Sequence, residues 1–418
     1  MTNDPVSWLY GLQSHGIKLG LDGIRTLLAR LDHPERACPS ALVGGTNGKG
    51  SVAAMLDAML AASGIRAGLY TSPHLARPNE RIRIAAEDVA TSELHRVLEV
   101  VRAACERGLA VGSLAAHPSF FEVMTAAALC AFRDAGLDAA VLEVGLGGRL
   151  DATNATDPLV SAIVTVSLDH VSTLGTTLEA IALEKAGIIR AGRPLVSGVT
   201  QREALAALHA RCDELGATFV DARKTQLPSG VRLTLDGDHQ RANARVAAAT
   251  FEAFSRALGR APVPQAIRCG LETTRWPGRM QLIPGAPPIL LDGAHNAAGA
   301  EALAAHLALR GGPKPVLLFA AMADKDIAGI LAPLAPHVAS VVATKPDVLR
   351  AAESRDVAAA ARALGLPAEA EPETARALEE ARSLAGPSGL VLVAGSLYLV
   401  GAVVGLLQGG ASPGPVSM

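Results

Sequence analysis

The chain has 418 residues, a formal net charge of −2 and a hydrophobic content of 50%. This length and composition predict a globular protein of about two or three domains and exclude a disordered chain. Because no basic excess or basic run is present, we expect neither a broad nucleic-acid interface nor a membrane-surface interface. Any anionic ligand must therefore be bound by a local site.

The cysteines indicate a reducing compartment. They are widely spaced and form no CxxC pair: Cys38, Cys105, Cys130, Cys212 and Cys269. This pattern is typical of free thiols. The segment from Met1 to Tyr10 has no apolar signal core, and the apolar stretch from Leu397 to Leu407 is shorter than the roughly 20 residues that span a bilayer. We expect a cytoplasmic protein without a membrane segment.

Strand-like and helix-like segments alternate along the chain. Apolar residues 41–43 precede a glycine-rich loop, and an amphipathic helix is predicted from Ser51 to Ala62, with Gly64 as its stop. Further elements are predicted in the same part of the chain: strands at 139–144, 159–166 and 195–199, and helices at 178–188 and 203–215. This alternation is typical of a parallel sheet with crossover helices.

The pattern restarts after Trp276-Pro277-Gly278, where we place a domain boundary. The elements predicted beyond it are strands at 289–291, 316–320, 339–343 and 391–394, and a helix at 297–309. They indicate a second, smaller, Rossmann-like α/β domain. The segment from Leu282 to Pro288 is rich in Pro and Gly and is predicted to be a linker. We therefore divide the chain into domains 1–280 and 281–418.

The glycine-rich loop is the most informative motif. It lies between the first predicted strand and its helix and reads Gly45-Thr46-Asn47-Gly48-Lys49-Gly50-Ser51. Glycines let backbone N–H groups close around phosphates, and the helix N-terminus adds positive potential. Lys49 would reach the terminal phosphates, and Ser51 would offer its hydroxyl to Mg²⁺. The strict P-loop pattern is not met, because Gly50 follows the lysine and Val43 occupies the place of the first glycine.

This loop resembles the nucleotide loop of the folylpolyglutamate synthase family, which is related to the Mur ligases of cell-wall synthesis. Further strings resemble that family in its order along the chain: LYTSPHL and NERIRI within 69–84, EVGLGGRLDATN at 143–154, SLDH and LGTTLEAIALEKAGII within 167–189, HQRANA at 239–244, WPGR at 276–279, LDGAHN at 291–296 and DKDI at 324–327. The resemblance implies a P-loop, Mur-ligase-like ATPase domain with a parallel sheet, followed by the smaller Rossmann-like domain.

The activity that the resemblance implies is ATP- and Mg²⁺-dependent joining of L-glutamate to a folate carboxylate. A carboxylate does not react with an amine at neutral pH, so the γ-phosphoryl of ATP first converts it into an acyl phosphate. The substrates would be reduced folates, dihydropteroate or both. The resemblance implies ATP and two Mg²⁺ as cofactors and leaves a K⁺ requirement open. We expect a monomer with no nucleic-acid or membrane partner.

The metal ligands that the resemblance implies are Ser51, Ser72, Glu143, His170 and Lys185. Of these, Glu143 ends a predicted buried strand, where open α/β sheets place ligands. Lys49, His170 and Lys185 are expected to be catalytic. In the family, the lysine that matches Lys185 is carbamylated by CO₂, which converts a cation into an oxygen ligand and requires a neutral amine. The alternative for Lys185 is a surface lysine or a partner of Glu184.

Residues outside the loop are also implied to contact ATP. Gln240 and Asn243 are spaced i, i+3 on a predicted helix and share a face, and the resemblance assigns Asn243 to the base or ribose. It assigns Arg279 to the phosphates, and it places Asp292 and His295 on the other side of the cleft. Without the resemblance, Asp292 would be a helix-cap residue.

The resemblance implies that folate is bound by the N-terminal stretch from Lys18 to Arg25 and by the loop after Glu143. In bifunctional bacterial members that loop, here with Asp151 and Ala152, contacts the dihydropteroate ring. Phe121 could pack on the pterin or belong to the core. Arg81 could meet a substrate carboxylate or phosphate, or lie on the surface.

Three alternatives stay open. The protein could be a monofunctional dihydrofolate synthase, because no residue separates addition of the first glutamate from tail extension. A Mur-type peptide ligase usually carries an additional N-terminal domain before the phosphate loop, which this sequence does not show. A P-loop switch or binding module would need a guanine-reading NKxD-type motif, which is absent.

Overall fold

The structure is a computed structural model that describes residues 4–15 and 20–409. The described residues form two α/β units, each built around one mainly parallel sheet. Lys18 and Leu19, which begin the N-terminal stretch expected to bind folate, lie outside the described residues.

The first sheet is parallel at its centre. In chain order its strands are β1 (Ser40–Gly44), β2 (Ala67–Tyr70), β3 (Ile82–Ile84), β4 (Glu87–Asp88), β5 (Ala139–Glu143), β6 (Val160–Ile163), β7 (Leu195–Ser197) and β8 (Phe219–Asp221). Their order across the sheet is β4-β3-β2-β5-β1-β6-β7-β8. The antiparallel pairings described for this sheet lie at one edge, where β3 pairs with β2 and β4 pairs with β3.

Helices cover both faces of this sheet. They are α1 (Pro5–Gly11), α2 (Asp22–Arg30), α3 (Lys49–Ala62), α4 (Thr91–Ala110), α5 (Phe120–Asp134), α6 (Val171–Leu174), α7 (Leu178–Ala186), α8 (Arg202–Leu215), α9 (Asp238–Ala257) and α10 (Pro264–Thr273). Short 3₁₀ helices span Leu12–His15, Pro34–Arg36, Pro78–Arg81, Ala152–Ala155, Ala222–Lys224 and, in the second unit, Ala335–His337.

The second sheet follows the same plan. Its strands are β9 (Gln281–Ile283), β10 (Ile289–Leu291), β11 (Val316–Phe319), β12 (Ser340–Ala343), β13 (Ala368–Ala370) and β14 (Val391–Ala394), in the order β13-β12-β11-β14-β10-β9. Only β9 is antiparallel to its neighbour. The helices are α11 (Ala297–Arg310), α12 (Ile327–Leu334), α13 (Ser354–Ala363), α14 (Thr374–Ala385) and α15 (Leu397–Leu407).

The central strand β1 shows how the two cores of the first unit form. Successive side chains of a strand point to opposite faces of its sheet. Leu42 packs in the core shared with α4 and α5, whereas Ala41 and Val43 pack in the core shared with α3, α9 and α10. Because helices cover both faces, the open edge is formed by the strand ends, where α/β proteins bind ligands.

The predicted α/β class is confirmed, and the predicted strands and helices are found with shifted ends. Helix α3 begins at Lys49 rather than Ser51, because the loop ends at Gly48 with a φ of 82°. Strand β6 ends at Ile163 rather than Val166. The reason is that Thr165 bonds to the phosphate loop instead of continuing the strand ladder.

The expected linker at 282–288 was partly wrong. Leu282 and Ile283 belong to β9, which pairs with β10 and covers its edge. The domain division after residue 280 stays a prediction, and β9 is the first strand of the second sheet. Among the described helices, none combines the length and the apolar character that a membrane crossing requires.

We predict that Gly270→Ala destabilises the first unit by about 1–3 kcal/mol. Gly270 of α10 lies against α3, and an added Cβ would be 2.6 Å from Cγ and 2.7 Å from the backbone nitrogen of Met59. Urea unfolding would measure the change. The matched control is Gly11→Ala, where an added Cβ would meet nothing within 4 Å. Equal unfolding midpoints for the two variants would contradict this packing.

Candidate active site

The phosphate loop is held in place by hydrogen bonds to the segment after β6. The Thr46 N–H donates to the carbonyl oxygen of Thr165 at 2.8 Å, and the Asn47 N–H donates to Thr165 Oγ1 at 2.9 Å. Two loop glycines have positive φ angles, 144° at Gly45 and 82° at Gly48, a region that glycine enters without steric cost. These hydrogen bonds and glycine conformations together fix the backbone of the loop.

Close packing explains why the loop has glycine at positions 48 and 50. A Cβ at Gly48 would lie 2.5 Å from Asn243 Oδ1, and a Cβ at Gly50 would lie 2.8 Å from Trp276 Nε1. Neither position has room for a side chain. The departure from the strict P-loop pattern at Gly50 is thus explained by the indole of Trp276.

A cleft of about 340 Å³ opens between this loop and the second unit. All predicted phosphate-loop, metal and nucleotide residues line it: Gly45, Thr46, Asn47, Gly48, Lys49, Gly50, Ser51, Ser72, Glu143, His170, Lys185, Asn243, Arg279, Asp292 and His295. A neighbouring cavity of about 650 Å³ shares Ser72, Glu143 and Arg279 with the cleft. The structure therefore offers two connected spaces around the same polar groups.

Glu143 is a buried carboxylate at the end of β5. Its Oε2 accepts a hydrogen bond of 3.0 Å from the Ser72 N–H. Burial raises the pKa of Glu143, and this rise is opposed by the charge of Lys49, the bond from Ser72 and the charge of Arg279. A carboxylate held in this way is ready to bind a cation that enters the cleft.

Lys185 on α7 is 3% exposed, so it is not the surface lysine that was the alternative. Its Nζ donates a 3.1 Å hydrogen bond to the carbonyl oxygen of Gly45. Burial first, and the nearby charge of Lys49 second, lower the pKa of Lys185 to about 7. A large share of its amine is therefore neutral and nucleophilic at physiological pH.

His170 begins α6 with a left-handed φ of 49°. Its N–H donates to Asp169 Oδ1 at 2.8 Å. Burial lowers the pKa of His170, and the charges of Lys325 and Lys49 act in the same direction, against Asp169. The ring is therefore neutral at pH 7, as a metal ligand or proton acceptor requires.

Gln240 and Asn243 on α9 are buried and share a face, as their spacing predicts. Asn243 Nδ2 donates to Gln240 Oε1 at 2.9 Å, and Gln240 Nε2 donates to Ser51 Oγ at 3.3 Å. Both amides thus support the start of α3. The contact of Asn243 with a nucleotide stays a prediction.

Arg279, just before β9, and Asp292 and His295, in the second unit, also line the cleft. Asp292 accepts hydrogen bonds from the backbone of Met280 at 3.1 Å and of Ala294 at 2.9 Å, so it fixes the segment that carries Arg279. His295 Nδ1 lies 2.7 Å from the carbonyl oxygen of Gly293, and burial lowers the pKa of His295 to about 4. No ion pair found among the described residues includes Arg279, which leaves its charge available to an anion.

The four predicted substrate residues do not line this cleft. Arg81 is 1% exposed, its Nε donates to His74 Nδ1 at 2.8 Å, and its terminal nitrogens lack hydrogen-bond partners. Phe121 packs against Gly145, where an added Cβ would lie 2.6 Å from Cζ of the ring. Arg81 is thus buried, which excludes the surface alternative.

The loop residues Asp151 and Ala152 are also buried. Asp151 accepts hydrogen bonds from the N–H groups of Leu146 at 2.9 Å and Thr153 at 3.0 Å, so its carboxylate stabilises the loop after β5. The expected contact of these residues with dihydropteroate stays a prediction.

Sequence reasoning missed Asp169, Asn296 and Lys325 as site residues. They lie within the strings SLDH, LDGAHN and DKDI, but no role was assigned to them. Asn296 Nδ2 donates to Asp169 Oδ2 at 2.9 Å, and Lys325 forms an ion pair with Asp169. Their positions just after predicted strands were the available signal.

The donor groups of the cleft suit a divalent metal that keeps water and phosphate ligands. Residues 4–15 and 20–409 contain no group of three or more His, Cys, Asp or Glu side chains that could hold a metal ion. Mg²⁺, however, is usually bound through one or two carboxylates, waters and substrate phosphates. Glu143, with the hydroxyls of Ser51 and Ser72 lining the same cleft, fits that kind of site.

A family model for the Mur ligase, glutamate ligase domain, matches residues 278–397. This match identifies the second unit as a glutamate ligase domain of the Mur-ligase type, and the phosphate loop of the first unit faces it across the cleft.

The chain is 33% identical over 421 residues to the dihydrofolate synthase/folylpolyglutamate synthase of Bacillus subtilis, covering 95% of this chain and 97% of that protein. It belongs to the dihydrofolate synthase/folylpolyglutamate synthase family. It is also 37% identical over 424 residues to a probable bifunctional folylpolyglutamate synthase/dihydropteroate synthase of Haloferax volcanii, covering 95% of this chain but 49% of that protein. The chain thus spans about half the length of that relative.

The chain is also similar to a relative whose structure has been solved with bound ligands. That relative is a bifunctional folylpolyglutamate synthase/dihydrofolate synthase, and its structure contains Mn, AMPPNP and L-glutamate. The TM-score is 0.85 at 32% identity, and the match covers 97% of this chain and 98% of that one.

We predict that Lys185 makes stability depend on pH between about 7 and 10. The pKa of Lys185 is about 7 in the folded protein, against an ordinary value of 10.5. In this window the unfolded chain binds more protons, so the free energy of unfolding of the wild type rises with pH. Lys185→Met removes the titration. Relative to this variant, the wild type should therefore gain a few kcal/mol between pH 7 and 10.

Urea unfolding at several pH values in CO₂-depleted buffer would measure the difference in the free energy of unfolding between the wild type and Lys185→Met. The titrations of all other groups are common to both proteins and cancel in this difference. Lys314→Met, at an exposed lysine of the second unit, should differ from the wild type by a constant amount. The same pH-independent offset for Lys185→Met would contradict a neutral buried amine.

Proposed function

We propose that this protein is an ATP-dependent, ADP-forming ligase that adds L-glutamate to a folate carboxylate and also accepts dihydropteroate. One observation carries the proposal. The phosphate loop, Glu143, Lys185 and Arg279 meet in one cleft between two α/β units, in a chain that aligns over almost its full length with a dihydrofolate synthase/folylpolyglutamate synthase.

The proposed reaction has two steps. A carboxylate oxygen of the folate attacks the γ-phosphorus of ATP, the bond to the β-phosphate oxygen breaks, and ADP leaves with that electron pair. The amine of glutamate then attacks the acyl carbon of the acyl phosphate, loses a proton, and expels inorganic phosphate as the amide forms. Lys49 and Arg279 would neutralise charge that moves between these oxygens, which is the main task in phosphoryl transfer.

Water exclusion follows from the two-unit construction. An acyl phosphate hydrolyses unless water is kept away, and closing an active site also strengthens electrostatic contacts inside it. The loops that carry Arg279, Asp292 and His295 form the wall opposite the phosphate loop. The connected cavity of about 650 Å³ leaves room for a second substrate beside the nucleotide.

We propose two Mg²⁺ as cofactors, in line with the Mn and AMPPNP bound in a related enzyme. Ser51, Ser72 and Glu143 would hold the first, and His170 with a carbamate on Lys185 the second. Bound Mg²⁺ would supply positive charge at the phosphate oxygens. A requirement for K⁺ stays open, because no feature of the cleft selects a monovalent cation.

The carbamate on Lys185 would form when the neutral amine attacks CO₂ and loses one proton. The buried Nζ with its pKa of about 7 supplies the neutral amine that this reaction needs. The product carries two oxygens and a negative charge in a cleft that already holds Lys49. It would thus convert a charge that repels Mg²⁺ into one that binds it.

The setting of the proposed enzyme is the cytoplasm, where a reducing environment suits five cysteines that form no disulfide within the described residues. A monomer would suffice, because one chain provides both walls of the cleft. The folate is proposed to lie near Gly145, which lines the cleft and lies against Phe121 and Asp151. Ala152 and Arg81 stay predicted substrate residues.

Phosphate release from MgATP and L-glutamate tests the function directly. One arm receives dihydropteroate, the other tetrahydrofolate, and the products are identified by mass. We expect a glutamate adduct in both arms. Product only with dihydropteroate would reduce the function to a dihydrofolate synthase, and product only with tetrahydrofolate to a tail-extending synthase. Arg279→Ala is the control: it should fold and lose turnover in both arms. The absence of product from the folded, nucleotide-binding wild type would refute the proposal.

We predict that carbon-13 bicarbonate labels Lys185. The wild type should show one carbamate carbon resonance in NMR, because its buried amine is neutral near pH 7. Lys185→Met should show no such signal, and Lys314→Met should keep it. A fully active enzyme in CO₂-free buffer, with no carbamate signal, would exclude the modification.

A further inference from the structure

Asp169 is a buried carboxylate at which the two units meet. It follows β6, and its side chain is 6% exposed. Within the first unit, Oδ1 accepts the N–H of His170 at 2.8 Å. From the second unit, Oδ2 accepts Nδ2 of Asn296 at 2.9 Å, and Oδ1 pairs with the ammonium of Lys325. One carboxylate therefore binds three donors, two of which come from the other side of the cleft.

Asn296 extends this contact to the phosphate loop. Its side chain and that of Asn47 form a reciprocal pair, with two N–H to oxygen bonds of 3.0 Å each. Asn296 Oδ1 also accepts the Gly299 N–H at 2.9 Å and so caps α11. The beginning of α11 is thus bonded both to the phosphate loop and to Asp169.

The contacts of Asp169 favour its anionic form. Burial would raise the pKa of Asp169, but the charge of Lys325 and its hydrogen bond to Oδ1 hold it well below its usual range. The ring of His295 also lies near, with Nε2 at 3.9 Å from Oδ2. Charge-assisted hydrogen bonds in a water-poor setting are the strong ones.

We propose that Asp169 is a positioning residue that holds Lys325 and Asn296 against the phosphate loop and thereby closes the two units over the reacting phosphate. We call Asn47, Asp169, Asn296 and Lys325 the interdomain latch. Asp169 acts through its partners and needs no contact with substrate. The kinetic part of this inference rests on the proposed function, whereas closure is a property of the chain itself.

Small-angle X-ray scattering without nucleotide tests closure, and it needs no enzymatic activity. Asp169→Asn removes the charge at constant size, and Lys325→Met removes the partner from the other unit. Both variants should have a larger radius of gyration than the wild type. The matched control is Asp157→Asn, which breaks an exposed ion pair of the first unit, with 2.7 Å between Asp157 Oδ2 and Arg193 Nη2. It should scatter like the wild type. Unchanged scattering of both latch variants would overturn the proposal.

Kinetics then test positioning. We expect Asp169→Asn to lower kcat by about ten- to a hundred-fold, as a small misplacement of catalytic groups does, while the KM for ATP changes less than about three-fold. In the double variant Asp169→Asn/Lys325→Met the two losses should combine to less than their product, because both substitutions remove the interaction between Asp169 and Lys325. The positioning role of Asp169 would be overturned if the kcat of the double variant fell by the product of the two single losses. It would also be overturned if Asp169→Asn left kcat unchanged. A wild type without ligase activity would refute the proposed function, and scattering would still decide the latch.

Discussion

The register of three adjacent parallel strands is the constraint on which the rest of the site depends. Val43 of β1 lies opposite Glu143 of β5 on one side and Ala162 of β6 on the other. The three strands therefore end at the same edge, where the phosphate loop, Glu143 and Thr165 emerge together. A slip by one residue would turn each side chain to the other face of the sheet. Both faces of β1 are buried against helices, so a slip would also exchange Leu42 of one core with Ala41 and Val43 of the other. Core packing and site geometry thus depend on the same register.

The cleft concentrates charge in a chain whose net charge is only −2. Lys49, Lys185, Lys325 and Arg279 line it, and Glu143 and Asp169 oppose them. A low-dielectric cleft focuses such a field and attracts phosphate-bearing ligands. The same field makes a further cation costly, and it adds to burial in lowering the pKa of Lys185. The charge of Lys49 thus contributes both to the attraction of anions and to the neutral state of one amine.

The parts of the site that the sequence predicts are the local ones. The phosphate loop was found because its glycines, lysine and following helix are contiguous, and Glu143 because it ends a short apolar run. The contact between Asp169 and Lys325 joins positions 156 residues apart, and no periodicity encodes which loops of two separate sheets will meet. The end of β6 was misplaced for a related reason. Thr165 looks like a strand residue, but its hydrogen bonds are used by a loop more than 100 positions earlier.

The contact between Gly50 and Trp276 links the phosphate loop to the WPGR string, two motifs that lie far apart in the sequence. A serine or threonine directly after the lysine, as in the common P-loop, would need a Cβ at 2.8 Å from the indole nitrogen. The hydroxyl therefore stands one residue later, on Ser51, where Gln240 bonds to it. In a chain of this design the loop and the indole form a matched pair. Converting the loop to the common pattern would therefore require a smaller residue at 276, so the two positions could change only together.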